Sequence, residues 1–206
     1  MNRPATVTAA MTVGWLVIFS AVFIWSAIEP KDVTTWVLEV APAVIALVIL
    51  GATARRFPLT PLVYLLILVH CVILMVGGHY TYAEVPAFDW IRELMNHERN
   101  NYDTLGHLAQ GFIPAMVARE ILIRQRVVNG RGWLNFLILC FCLALSAFYE
   151  LIEWWVALTS EQAADAFLGT QGYVWDTQSD MMYALMGAIS ALLLLSRLHD
   201  RQLRRL

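Results

Sequence analysis

The sequence predicts an all-α fold: a polytopic membrane helix bundle of about six transmembrane helices, with both termini cytoplasmic. Three observations carry this. Of 206 residues, 59% are hydrophobic and only 15% charged, and the mean hydropathy is +0.61, a balance foreign to soluble domains. Six apolar runs approach the roughly 20 residues needed to cross the hydrocarbon core of a bilayer. The arginines, finally, gather on alternate connections between those runs.

The first run, 7–28, follows a short polar start; it is long enough to span and is read as a retained helix, not a cleaved signal peptide. The second and third are 36–54 and 59–78. The fourth, 103–123, is the least apparent because polar residues interrupt it. The fifth and sixth are 132–158 and 177–198. Arg3, the Arg55–Arg56 pair, the group Arg124, Arg126 and Arg131, and the group Arg197, Arg201, Arg204 and Arg205 all fall on one side of a six-crossing chain. The positive-inside rule makes that side cytoplasmic. Glu29, Lys31 and Asp32, the stretch 79–102, and Glu161 with Asp165 then face outward. The chain is one transmembrane domain over 1–206. The 79–102 connection mixes aromatic and charged residues where a plain linker would be polar and Gly-rich, so it is expected to be an ordered cap.

A net charge of −2 without a basic stripe excludes nucleic-acid binding. Cys71, Cys140 and Cys142 lie inside apolar runs and are odd in number, which argues against a disulfide framework. Trp90, Trp154, Trp155 and Trp175 fall where indoles favour the bilayer interface, and no chemistry is assigned to them.

The chemistry is expected in three pairs: Asp103 with His107, Glu150 with Glu153, and Asp176 with Asp180. Members three or four apart share a helix face, and all six lie at one depth, toward the outer end of the last three spans, over 103–198. A lone carboxylate inside a membrane costs roughly 2.5 to 3.5 kcal/mol on insertion scales, so a compensating cation is expected. Facing helices with carboxylates and histidine at these spacings build di-metal sites. Five carboxylates with one imidazole favour a divalent metal such as Mg²⁺ or Mn²⁺, while the histidine also admits Zn²⁺ or iron. The expected metal ligands are Asp103, His107, Glu150, Asp176 and Asp180. Glu153 is the expected catalytic base, with Glu150 interchangeable in that role. Small residues continue the same faces, Gly111 and Ala115 below His107, Gly187 and Ala191 below Asp180, and suit close helix packing.

Competing readings are equally concrete. Asp103 and Asp176 suit helix N-termini, and Arg92 or Arg99 can fold inward to neutralise the cluster, as can protonation. Substrate contacts or outer ligands are expected from His79, Tyr80 and Glu84, and Gln110 and Gln171 are expected to orient the ligands. Asn100, Asn101 and Tyr102 would position Asp103. Glu39 and His70 are read as interhelical hydrogen bonders, and Arg119 with Glu120 as a local pair.

The segments 79–86 (HYTYAEVP), 99–107 (RNNYDTLGH), 149–155 (YELIEWW) and 170–180 (TQGYVWDTQSD) resemble the YjdF-like family of bacterial inner-membrane proteins, whose function is unknown. The resemblance implies the inner membrane and no particular activity. A more distant likeness is to VanZ-like membrane proteins: Asp103, His107, Glu150, Asp180 and Gly187 match that pattern, Glu153 replaces its Gln and Ala184 its Asn.

Two functions follow as expectations. One is a metal-dependent hydrolase or transferase acting on a membrane lipid or lipid-linked headgroup at the outer leaflet. The other is a cation-binding transporter or receptor, with a scaffold role as a third course. The oligomeric state is not legible in the sequence.

Overall fold

A computed structural model of the chain describes residues 7–159 and 171–206. Arg3, Glu161, Asp165 and Thr170, used above, lie outside the described residues. Within them the chain is helical, without strands: α1 (Ala9–Ser26), α2 (Val33–Thr53), α3 (Pro61–Tyr80), α4 (Pro86–Met95), α5 (Tyr102–Arg124), α6 (Arg131–Thr159) and α7 (Asp176–Leu203). Six of these match the expected spans to within a few residues. The seventh, α4, is the helical part of the 79–102 connection, a strongly amphipathic segment of ten residues.

Local chemistry sets the ends. The Thr8, Asp32 and Thr60 side chains accept hydrogen bonds from backbone N–H groups in the first turns of α1, α2 and α3. Proline opens α3 and α4 at a position whose N–H has no intrahelical acceptor. Thr81 and Asn96, both left-handed, close the same two helices.

Five of these helices, α1, α2, α3, α6 and α7, are long and apolar enough to cross a membrane. The other long helix, α5, has 23 residues, about 35 Å at 1.5 Å per residue, but it carries Asp103, His107, Gln110, Arg119 and Glu120. It tolerates them because it is the axis of the bundle. It packs on α3, α6 and α7, while α3 also packs on α1 and α2. Polar side chains of α5 therefore meet protein, while Val13, Val17, Ile45, Leu193 and Leu194 on outer helices stay exposed, as lipid contact requires.

The tightest contact is between α5 and α7. A Cβ on Gly111 would stand 1.7 Å from the Ala184 carbonyl oxygen, and one on Gly187 would stand 2.1 Å from that of Leu108. Ala115 and Ala191 on the same faces are fully buried. The small-residue faces thus meet at backbone distance.

The arginine-bearing end has its own polar core. Glu120 accepts from the Thr60 N–H at 3.0 Å, the Thr60 hydroxyl at 2.7 Å and Arg124 at 2.8 Å, and its Oε2 lies 3.0 Å from His199 Nε2. Arg119 donates to Asp200 at 2.6 Å and lies 2.9 Å from His199 Nδ1. The expected Arg119–Glu120 pair is therefore corrected: the two are joined not directly but through the His199 ring, whose Nδ1 meets Arg119 and whose Nε2 meets Glu120. The described cysteines are all free, in agreement with the sequence reading.

Candidate metal centre

His107 is the centre of the acidic cluster. Its Nδ1 lies 3.2 Å from Gln110 Oε1, so Nδ1–H donates to the amide oxygen. That bond sets the ring orientation and leaves Nε2 facing Asp103 Oδ1 at 3.3 Å and Asp180 Oδ2 at 3.9 Å, where either an Nε2–H donated to the carboxylates or a cation held between them satisfies the acidic oxygens. On the other edge Glu150 Oε1 is 3.9 Å from Nδ1. Ligand atoms of Asp103, His107 and Asp180 lie within 4.8 Å of one another, as do those of His107, Glu150 and Glu153. Two three-residue groups, drawn from α5, α6 and α7, share one imidazole.

All five side chains are buried. Among the described residues, Asp180 Oδ1 and Glu150 Oε1 are enclosed and meet no hydrogen-bond donor. Such an atom costs several kcal/mol unless a cation or a proton serves it. The donor set, four carboxylates and one imidazole, fits a divalent cation.

Asp176 does not join either group. Arg99 donates to it at 2.5 Å and lies 5.0 Å over the Tyr173 ring. Burial alone would lower the Arg99 pKa, but the hydrogen bond and charge of Asp176 hold it above its ordinary value. The arginine reading thus holds for one carboxylate, at the rim, where a long side chain from the loop reaches. Arg92 instead pairs with Asp89 at 3.4 Å.

The outer residues also find other partners. His79 Nδ1 bonds the Ser26 carbonyl at 3.1 Å and its ring packs on Trp25 and Tyr80, while Glu84 pairs with Lys31. His79, Tyr80 and Glu84 therefore tie the α3 end to α1 and the α1–α2 connection, away from His107. Asn101 meets His97 at 2.9 Å and makes no cap bond to α5. Gln171 exchanges two 2.9 Å bonds with the Asn100 backbone. Asn100 itself is fully buried, donates to Val85 and Asp89, and accepts from the Tyr102 N–H. It holds α4 and the Gln171 turn over the start of α5.

Next to His107 is a cavity of about 120 Å³ whose lining includes Asp103, Glu153, Glu39, Tyr149, Tyr82 and His70. The Tyr149 hydroxyl donates to Glu39 Oε2 at 3.1 Å, so Glu39 is indeed an interhelical hydrogen bonder. It is also a wall of the cavity, which the sequence reading missed. The signal was present: a carboxylate inside an apolar span marks a functional position by default. Glycines admit these groups. A Cβ on Gly78 would be 3.1 Å from the Glu39 Cβ, and Cβ atoms on Gly77 and Gly106 would run into the Tyr82 ring.

The family described as "Predicted membrane protein (DUF2238)" matches residues 11–201. The chain is 55% identical over 184 residues to "Inner membrane protein YjdF" of Escherichia coli (strain K12), covering 89% of this chain and 88% of that protein. No solved structure matches. With its five long apolar helices, it is a multi-pass protein of the bacterial inner membrane. The chain belongs to the DUF2238 family of predicted membrane proteins.

Proposed function

We propose that the His107 cluster binds a divalent cation and that the protein is a metal-dependent hydrolase or transferase acting on a lipid or lipid-linked headgroup. The carrying observation is a pair of buried oxygens, Asp180 Oδ1 and Glu150 Oε1, that meet no donor among the described residues and flank an imidazole oriented by Gln110. Asp103, His107, Glu150 and Asp180 hold the cation, which supplies Lewis acidity toward a phosphoryl or acyl oxygen. Glu153, on the same cavity as Tyr149 and Tyr82, takes a proton from the attacking water or hydroxyl. Arg99, held by Asp176 at the rim, offers a positive charge to an anionic headgroup.

In the bilayer, α5 is a sixth crossing and both termini are cytoplasmic. The arginine-bearing helix ends meet at one end of the bundle, where Arg124 donates to the Pro58 carbonyl and Arg119 to Asp200. The cluster lies at the other end, facing the periplasm. An ion conduit is disfavoured because the space inward of His70 is lined almost wholly by apolar side chains.

Purified protein is analysed for bound metal and assayed on envelope lipids. Wild type retains about one equivalent of cation or more, and Asp180→Asn loses it. With chelator present, Asp180→Asn is at least as stable as wild type, because a buried uncompensated carboxylate has gone. Metal-free wild-type protein that turns over lipid, or Glu153→Gln at the wild-type rate, overturns the assignment.

A further inference from the structure

The polar cavity does not end at His70. Inward of it lies a cleft of about 480 Å³ that shares Pro42, His70 and Leu74 with the polar cavity. The α5 stripe that carries Asp103, His107 and Gln110 continues at helical spacing through Pro114, Val117 and Ile121 on the cleft wall. Across from it, the α2 stripe that begins at Glu39 continues through Pro42, Ala46, Ile49 and Thr53. Both stripes change from acidic to apolar at the same level, and no packing of α2 on α5 closes the gap between them. Ile49, Ile121 and Phe141 on the lining are exposed, so the cleft opens sideways to the membrane.

We propose that this cleft holds the hydrocarbon chain of the lipid whose headgroup reaches the His107 cluster. The inference deepens the function proposed above and rests on it for the headgroup end. The occupant is argued from adjacency and shape: a charged compartment bordered through Pro42, His70 and Leu74 by a long apolar cleft that opens to lipid matches a lipid that sets its headgroup in the first and one of its acyl chains in the second. From Pro42 to Thr53 the cleft runs about 16 Å at 1.5 Å per residue, roughly half the hydrocarbon core. A larger groove of about 610 Å³ near Trp15, Gly51 and Tyr64 borders the cleft at Leu50 and Leu59 but is lined by none of the cluster residues, and it serves as the contrast.

The probe is phosphatidylglycerol with a photoreactive diazirine on one acyl chain, incorporated in nanodiscs around the full-length protein. With the diazirine near the chain end, crosslinks concentrate at Thr53 and Ile121; moved close to the ester, they shift to Leu74 and Pro42. This shift is read on wild type and needs no variant. Ala46→Trp and Val117→Trp each lower the deep crosslinks at least tenfold, whereas Gly51→Trp in the other groove leaves them unchanged. Deep crosslinks that ignore diazirine position, or that survive both cleft-filling variants, overturn the chain site. Metal content measured on the same samples separates the two ideas. Metal-free wild type with position-dependent crosslinks defeats the catalytic reading and supports the chain site; bound metal with crosslinks scattered over Val17 and Leu194 defeats the chain site alone.

Discussion

Gly111→Ala tests whether the α5–α7 contact builds the site. The new methyl would lie 1.7 Å from the Ala184 carbonyl oxygen, while real contacts essentially never fall below 3.0 Å. The helices must separate by roughly 1.3 Å, and because both sides are backbone no rotamer can absorb it; overpacking of this kind costs about 1–3 kcal/mol, here at the upper end. The same movement takes Asp180 on α7 away from His107 on α5, now 3.9 Å apart. Thermal unfolding in detergent should show a lower midpoint, and metal content should fall with it. Gly14→Ala and Gly51→Ala are the controls, since their Cβ atoms meet nothing within 4 Å; there the gain in helix propensity, up to about 1 kcal/mol, acts alone. Gly187→Ala strains the same interface, so the double variant should lose less than the sum of the singles. If Gly111→Ala unfolds at the temperature of Gly14→Ala, the backbone-contact account of the site is wrong.

Asn100→Ala removes a fully buried side chain that bonds Val85, Asp89 and the Tyr102 N–H; a loss of about 2–4 kcal/mol and faster proteolysis within 79–102 are expected, and unchanged cleavage would refute the clasp. Arg99→Ala leaves Asp176 without its cation and should cost about 2 kcal/mol, less than a fully buried pair because the rim is partly open to solvent; Arg99→Lys should restore part of it in the same unfolding assay. Glu120→Ala strands the Thr60 N–H and removes the carboxylate shared by His199 and Arg124, and should destabilise by roughly 3–5 kcal/mol while metal bound per folded protein stays at the wild-type value, because that network is at the opposite end of the bundle.

The long helices and their order were legible because apolar runs of membrane length have few other interpretations, and even α5, more polar than the five that meet the length and apolarity of a span, was read as a helix. Legible too were Asp103, His107, Glu150, Glu153 and Asp180, since carboxylates three or four residues from another polar group share a helix face whatever the bundle does. Asp176 was grouped with them on the same rule, yet Arg99 takes it: helical spacing says which face a residue occupies and nothing about which loop side chain arrives there. Likewise His79 and Glu84 stand close to the site in sequence order but turn to Ser26 and Lys31. The α4 helix was missed because a ten-residue segment on the surface need bury only one side.

By itself, the sequence determined an all-helical membrane protein with its acidic pairs on helix faces at one end, because bilayer thickness and the 3.6-residue period act on each segment alone. Only the tertiary structure decided that α5 is the shielded axis, that Glu39 from the distant α2 borders the same cavity as Glu153, and that Arg119 and Glu120 are not partners. Those outcomes depend on which backbones can touch, and Gly111 against Ala184 shows that this is settled by the absence of a single methyl group.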